Sequence, residues 1–165
     1  MTTRIDEVGV PKIDLQKFID AQHSSVDRAF AEIEAGRKAS HWMWYVFPQV
    51  SGLGLSATSR RYAIASLEEA EAFLVHPVLG PRYHRMVDAV WHQVVENGVT
   101  ISDLFGPPDD AKLVSSLTLF AGVASRHSDP GPGFVAFIAK AEAILQAAYG
   151  QRLDRCTTTE QFLET

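Results

Sequence analysis

Residues 78–98 read VLGPRYHRMVDAVWHQVVENG. Tyr83, Met86, Val87, Val90, Trp91 and Val94 recur at spacings of three and four, the period that gathers side chains on one face of an α-helix. A strand would alternate at period two, and this stretch does not. His84, Asp88 and His92 fall on the opposite face, where a solvated surface explains them better than a metal site. Gly98 stops the helix after Asn97, because glycine reaches the left-handed conformation that ends helices. The reading is a long helix from about Val78 to Asn97 whose apolar stripe must be covered by other elements.

The neighbouring stretches carry the same period. Ser66-Leu67-Glu68-Glu69 is a capping box that starts a helix running to about Val75, and His76-Pro77 breaks it. Leu15, Phe18 and Ile19 follow Asp14, and Val26, Ala29, Phe30 and Ile33 form a second stripe closed by Gly36. A helical turn at Ser102–Phe105 leads to Gly106-Pro107-Pro108-Asp109-Asp110, a turn followed by a proline and acidic groups suited to a helix start. The helix beyond runs to about Ala121 and is apolar nearly all round, the pattern of a buried helix. After the loop Ser128–Gly133, the residues Phe134, Phe137, Ile138, Ala141, Ile144, Leu145 and Ala148 predict one more helix, stopped by Gly150. No stretch alternates at period two between hairpin turns, and no internal repeat occurs. The expected fold is all-α: a compact, single-domain bundle of about six to eight helices with no significant sheet. Residues 1–13 read as a tail, 14–150 as the helical domain, and 151–165 as a C-terminal tail or short helix.

The bulk properties narrow the function classes. A chain of 165 residues with 46% hydrophobic and 21% charged residues has the composition of a packed globule. Its formal charge of −5 argues against nucleic acid held on a broad basic surface. The one cysteine, Cys156, forms no intramolecular disulfide, and no Cys/His spacing suggests a metal site. The N-terminus lacks the apolar core of a signal peptide, and no stretch is long and apolar enough for a membrane span. A cytoplasmic protein without a cofactor or a membrane partner is expected. The charge is uneven, however. Arg37, Lys38, Arg60, Arg61, Arg82 and Arg85 face only Glu68, Glu69, Glu71 and Asp88 within residues 36–92, a locally basic segment in an acidic chain.

That segment contains SHWMWYVFPQVSGLGLS at residues 40–56. Large rings dominate core energetics, so most of them read first as core. Yet His41, Trp42, Trp44 and Tyr45 within about one helical turn cannot all point at one core face. Pro48 ends any helix they form, and Gly52 and Gly54 allow tight turns or close approach of a partner. If a helix starts near Leu55, Ser56, Ser59 and Arg60 share a face near its amino end, which suits an anion. On the helix beginning at Asp109, the side chains of Asp109, Lys112, Ser116 and Phe120 share one side. A lysine on so apolar a helix needs a carboxylate, solvent or a ligand.

The ordered motifs SHWMWYVFPQ, GLGLSATSRRYAI, HPVLGPR and FGPPDDAKLVSSLTLF resemble the bacterial and fungal family catalogued as domain of unknown function 1810. The resemblance runs from about Asp14 to Leu145. It implies a compact, mainly helical protein and brings no established activity or catalytic residues. Some members are labelled calpastatin-like, but calpastatin repeats are disordered and polar, unlike this chain.

The combined expectation is one concave site for a small anionic, ring-containing ligand such as a nucleotide or nucleotide-derived sugar. Its lining residues would be Trp42, Trp44, Tyr45, Gln49, Gly52, Gly54, Ser56, Ser59, Arg60, Asp109, Lys112 and Ser116. A tryptophan would stack on the ring, Arg60 and the amides near Ser56 would meet phosphate, and Lys112 with Ser116 would orient it. His41 is the one acid/base candidate nearby, so any catalysis would be metal-free hydrolysis or group transfer. Two alternatives stand beside this: a non-enzymatic protein-interaction module using exposed aromatics, and clusters that are only core.

Overall fold

The computed structural model describes residues 13–128 and 130–165. The tail read over residues 1–13 lies outside the described residues apart from Ile13, as does Asp129 of the Ser128–Gly133 loop. The described residues form ten helices: α1 (Gln16–His23), α2 (Val26–Glu34), α3 (Met43–Val46), α4 (Ala57–Arg61), α5 (Leu67–Val75), α6 (Leu79–Trp91), α7 (Ile101–Phe105), α8 (Asp109–Ser125), α9 (Pro132–Gly150) and α10 (Thr157–Leu163). They contain no strand, only an isolated parallel bridge between Val50 and Ile64. The all-α fold is as expected. The helix count exceeds eight because α3 and α4, single turns of four and five residues too short to show a period in sequence, add to the elements read there, the turn at α7 included.

The sequence signals explain the elements. Ser66 caps α5 by accepting from the Glu69 amide at 3.1 Å, and the Glu69 carboxylate reaches back to the Ala65 amide at 3.0 Å. On α6, Leu79, Tyr83, Met86, Val87 and Val90 are buried as the stripe requires. Gly80 permits the close packing of α6 on α5, since a Cβ there would sit 2.3 Å from the Leu74 carbonyl oxygen. The last turn of the long helix, His92–Glu96, widens into a π-helix that ends before Gly98 at φ +71°.

Helix α8 is the centre of the molecule. Every residue from Leu113 to Ala121 is buried, because α5, α7, α9 and α10 all pack against it. It runs past Ala121 to Ser125, with Gly122 inside it. That glycine makes room for Leu163 of α10, whose Cδ1 would lie 2.6 Å from an added Cβ. The last helix is thereby seated on the core rather than left as a tail.

An aromatic network fills the space between the helices. Phe47 meets Trp42, Tyr83 and Phe105 with ring centroids 5.6–6.2 Å apart, and Tyr83 lies 4.6 Å from Phe120. The aromatic segment is held from two sides. Gln22 of α1 donates to the Tyr45 carbonyl at 2.7 Å. The Val50–Ile64 bridge closes the excursion that carries α4, through Ser51 N to Ile64 O at 2.9 Å and Ile64 N to Gln49 O at 2.7 Å.

Candidate ligand-binding cleft

The two tryptophans flanking Met43 face opposite ways. Trp42 is 1% exposed, and its indole N–H donates to Glu32 at 2.7 Å. Glu32 also accepts from the Ala39 amide at 2.9 Å, the Ser40 amide at 3.1 Å and the Ser40 hydroxyl. Burial alone would raise the Glu32 pKa, but these four donors outweigh it and hold the carboxyl at about 2. The start of the aromatic segment is therefore anchored to the end of α2 by an ionised carboxylate.

Trp44, half-buried, instead forms one wall of a cleft. Gln49, Gly54, Ser59 and Lys112 line the same cleft, so five of the twelve expected ligand-binding residues, drawn from three separate stretches, converge there. Met43, Phe47 and Tyr62 supply the apolar floor and sides. The cavity volume is about 20 Å³, room for roughly one water-sized group. Gly54 matters through its missing side chain: a Cβ would lie 2.4 Å from Ser59 Oγ.

Lys112 is the charged group of the cleft. Its ammonium lies 4.4 Å from the Trp44 ring centroid and 3.2 Å from Asp109 Oδ1. The other oxygen of Asp109 is 2.8 Å from the ammonium of Lys38, which also donates to the Ser40 carbonyl at 2.5 Å and sits 4.9 Å from the Trp42 ring. One carboxylate thus serves two lysines. Lys38 is sequestered at 7% side-chain exposure, whereas Lys112, at 23%, reaches the cleft.

The remaining expected residues lie elsewhere. Trp42 belongs to the core, not to a stacking platform. Ser116 is fully buried, its hydroxyl 2.9 Å from the Tyr83 phenol, so it cannot orient a ligand in the cleft. Burial pushes the Tyr83 pKa well above the usual phenol range, and the Ser116 bond only partly opposes this. Tyr45 turns toward Tyr62, at 5.3 Å between centroids. Asp109 stands behind the cleft as the partner of the lysines. Gly52 is a turn residue at φ +93° with open space around it. Ser56 is occupied as the cap of α4, accepting from the Ser59 amide at 3.1 Å. α4 has only five residues and Arg60 is exposed, so the expected phosphate subsite at this helix start does not form part of the cleft. His41 is exposed and outside the lining; among the described residues the lining itself offers only Lys112 and the phenol of Tyr62 as acid/base groups, with Asp109 paired behind Lys112.

The polar face of the long helix also resolves. His84 stacks on Phe137 at 4.7 Å and 3°, Asp88 pairs with Lys140 at 2.6 Å, and His92 bonds Glu96 at 2.5 Å. Among the described residues no group of three or more His, Cys, Asp or Glu is placed to hold a metal ion.

With this arrangement in hand, the chain can be compared with known proteins. The family whose sequence profile matches residues 12–140 is described as a protein of unknown function, DUF1810. The chain belongs to this family. The crystal structure of the conserved hypothetical protein Rv1873 from Mycobacterium tuberculosis is similar, with a TM-score of 0.67 and 45% identity over 83% of this chain and 95% of that one. No curated protein matches the chain. DUF1810 membership thus accounts for the fold and the shared motifs and brings no reaction with it. Among the described residues no helix is long and apolar enough to cross a membrane.

Two residues that matter to this DUF1810 cleft carry no sequence signal. Glu32 reads as one more charge on the polar side of α2, and Lys38 as a surface lysine beside Arg37. Their partners lie several residues further on or, for Asp109, on another helix.

Proposed function

We propose that this protein is a cytoplasmic binding protein for a small anionic, ring-containing ligand, held in the Trp44–Lys112 cleft. The observation that carries the reading is convergence: Trp44, Gln49, Gly54, Ser59 and Lys112 line one recess around a single ammonium. That ammonium has three donors, and Asp109 engages it through one oxygen. The anionic end of the ligand belongs on Lys112, with Gln49 and Ser59 as hydrogen-bonding neighbours. The narrow interior admits one oxygen of the anionic group, so the rest of the ligand and its ring belong at the mouth, beside the edge of Trp44 and the Gly54–Leu55 segment. With Lys112 already over Trp44, the indole pre-positions the cation rather than offering a free stacking face. The lining favours binding over catalysis, because His41 stands outside it.

An interaction module is the second reading, and Leu55 favours it: this apolar side chain next to Gly54 is 85% exposed. Calorimetric titration with adenosine monophosphate, benzoate and inorganic phosphate separates the two. The cleft reading expects saturable binding that Lys112→Met abolishes with little loss of melting temperature. Absence of binding in the parent protein, or binding that Lys112→Met leaves intact, would reject it.

A further inference from the structure

We infer that buried Lys38 sets the charge of the cleft at one positive unit and thereby makes it selective for a monoanion of the carboxylate class. This rests on the cleft reading above and assigns a role to two residues outside the lining. Asp109 Oδ2 lies 2.8 Å from Lys38 and Oδ1 lies 3.2 Å from Lys112. Two ammoniums on one carboxylate leave a net charge of +1. Lys38 is the more buried, and it is further held by the Ser40 carbonyl and the Trp42 ring. Lys112, the more exposed, is the outlet for the uncompensated charge, and among the described residues it is the only charged one in the lining. The neighbouring carboxylates are held by neutral donors: Glu32 by groups of Ala39, Ser40 and Trp42, and Asp110 by the Ser102 hydroxyl at 2.9 Å and the Ala111 amide at 2.8 Å, with no ion pair to either lysine.

The consequence is a rule about ligand charge. Without Lys38, Asp109 would neutralise Lys112 alone, and an anion entering the cleft would meet no net attraction. With Lys38 present, one negative charge balances the site. A phosphate dianion would bring a second charge into a partly desolvated recess with no cation to meet it. Lys38 and Asp109 are therefore positioning residues for Lys112: neither lines the cleft, and together they decide how much of its charge is available.

The test compares benzoate with phenyl phosphate at pH 8, where the second is a dianion, by calorimetry on the parent protein, Lys38→Met, Asp109→Asn and Lys112→Met. The parent should bind benzoate more tightly than phenyl phosphate. Lys38→Met should weaken benzoate at least tenfold. Asp109→Asn raises the site to two positive charges and should reverse the order in favour of phenyl phosphate. A purely structural role for the triad would lower both affinities together and leave their ratio unchanged, and that result overturns the inference. Should Lys38→Met melt too low to titrate, the order of affinities in Asp109→Asn decides alone. A parent that binds neither probe rejects the cleft reading itself, and this inference with it. A parent that binds benzoate through Lys112 while the variants keep its preference rejects only the inference.

Discussion

Trp42 and Trp44 are separated by one residue, and the fold treats them as different materials. Trp42 sits in the aromatic network with Phe47 and Phe105, its one polar atom paired to Glu32. Trp44 keeps part of its ring at a cleft mouth under the Lys112 ammonium. Composition does not decide between core plug and pocket wall here; direction does. A single turn followed by Pro48 cannot aim consecutive large rings at one face. The segment therefore serves the core with one side and the cleft with the other.

The largest effect that tests this contrast is on stability. Trp42→Ala should cost about 3–5 kcal/mol, through lost burial, the cavity left behind and the loss of one of the four donors to Glu32. Trp44→Ala, at a half-buried wall, should cost no more than about 2 kcal/mol. Denaturant unfolding of both variants measures the difference. Equal losses would mean that the two rings play one role and the contrast is false.

The Glu32 anchor makes a second, pH-dependent prediction. Its folded pKa of about 2 lies below the ordinary 4.5, so the folded state binds this proton less readily than the unfolded chain. The stabilisation is complete above pH about 4.5 and is lost as the pH falls toward 2, by on the order of 1–2 kcal/mol once solvent screening of this partly exposed carboxylate is allowed for. Glu32→Gln should be less stable than the parent at pH 7 by a similar amount and should lose less on acidification over that window. Parallel curves for the two proteins would show that the carboxylate does not hold the aromatic segment down.

How much of this was legible beforehand follows from the range of each interaction. The helices α5, α6, α8 and α9 were readable because capping boxes, stripes and stop glycines act within a few residues. The end of α8 was read a turn short, at about Ala121, since the role of Gly122 inside it depends on Leu163 at the far end of the chain. The cleft was half legible. Trp44, Gln49, Gly54, Ser59 and Lys112 could be named from ring crowding, glycine spacing and a lysine stranded on an apolar helix. Ser116 looked equivalent to Lys112 by helical position, yet one turn further along it meets Tyr83 in the core. Glu32 was invisible and Lys38 showed only as one charge of the basic segment, because their meaning lies in contacts that only the fold makes.

The smallest effect is spectroscopic, and it reads the contrast without perturbing either ring. Trp91 is half-buried and would contribute background, so the experiment uses Trp91→Phe, leaving Trp42 and Trp44 as the emitters. Trp42 is sealed by the core and should resist any small quencher. Trp44 should be reached, and the charge of the quencher should matter because the Lys112 ammonium stands 4.4 Å from its ring. Iodide should therefore quench more efficiently than caesium, leaving a residual unquenched fraction that belongs to Trp42. Lys112→Met should remove the advantage of iodide while leaving neutral acrylamide quenching nearly unchanged. If iodide and caesium were equivalent in the parent protein, Lys112 would present no net charge at Trp44, and the cleft would lose the feature that distinguishes it from an ordinary fold in the surface. If both emitters were quenched alike by acrylamide, Trp42 would not be core, and the opposition between the two rings would fail at its firmer end.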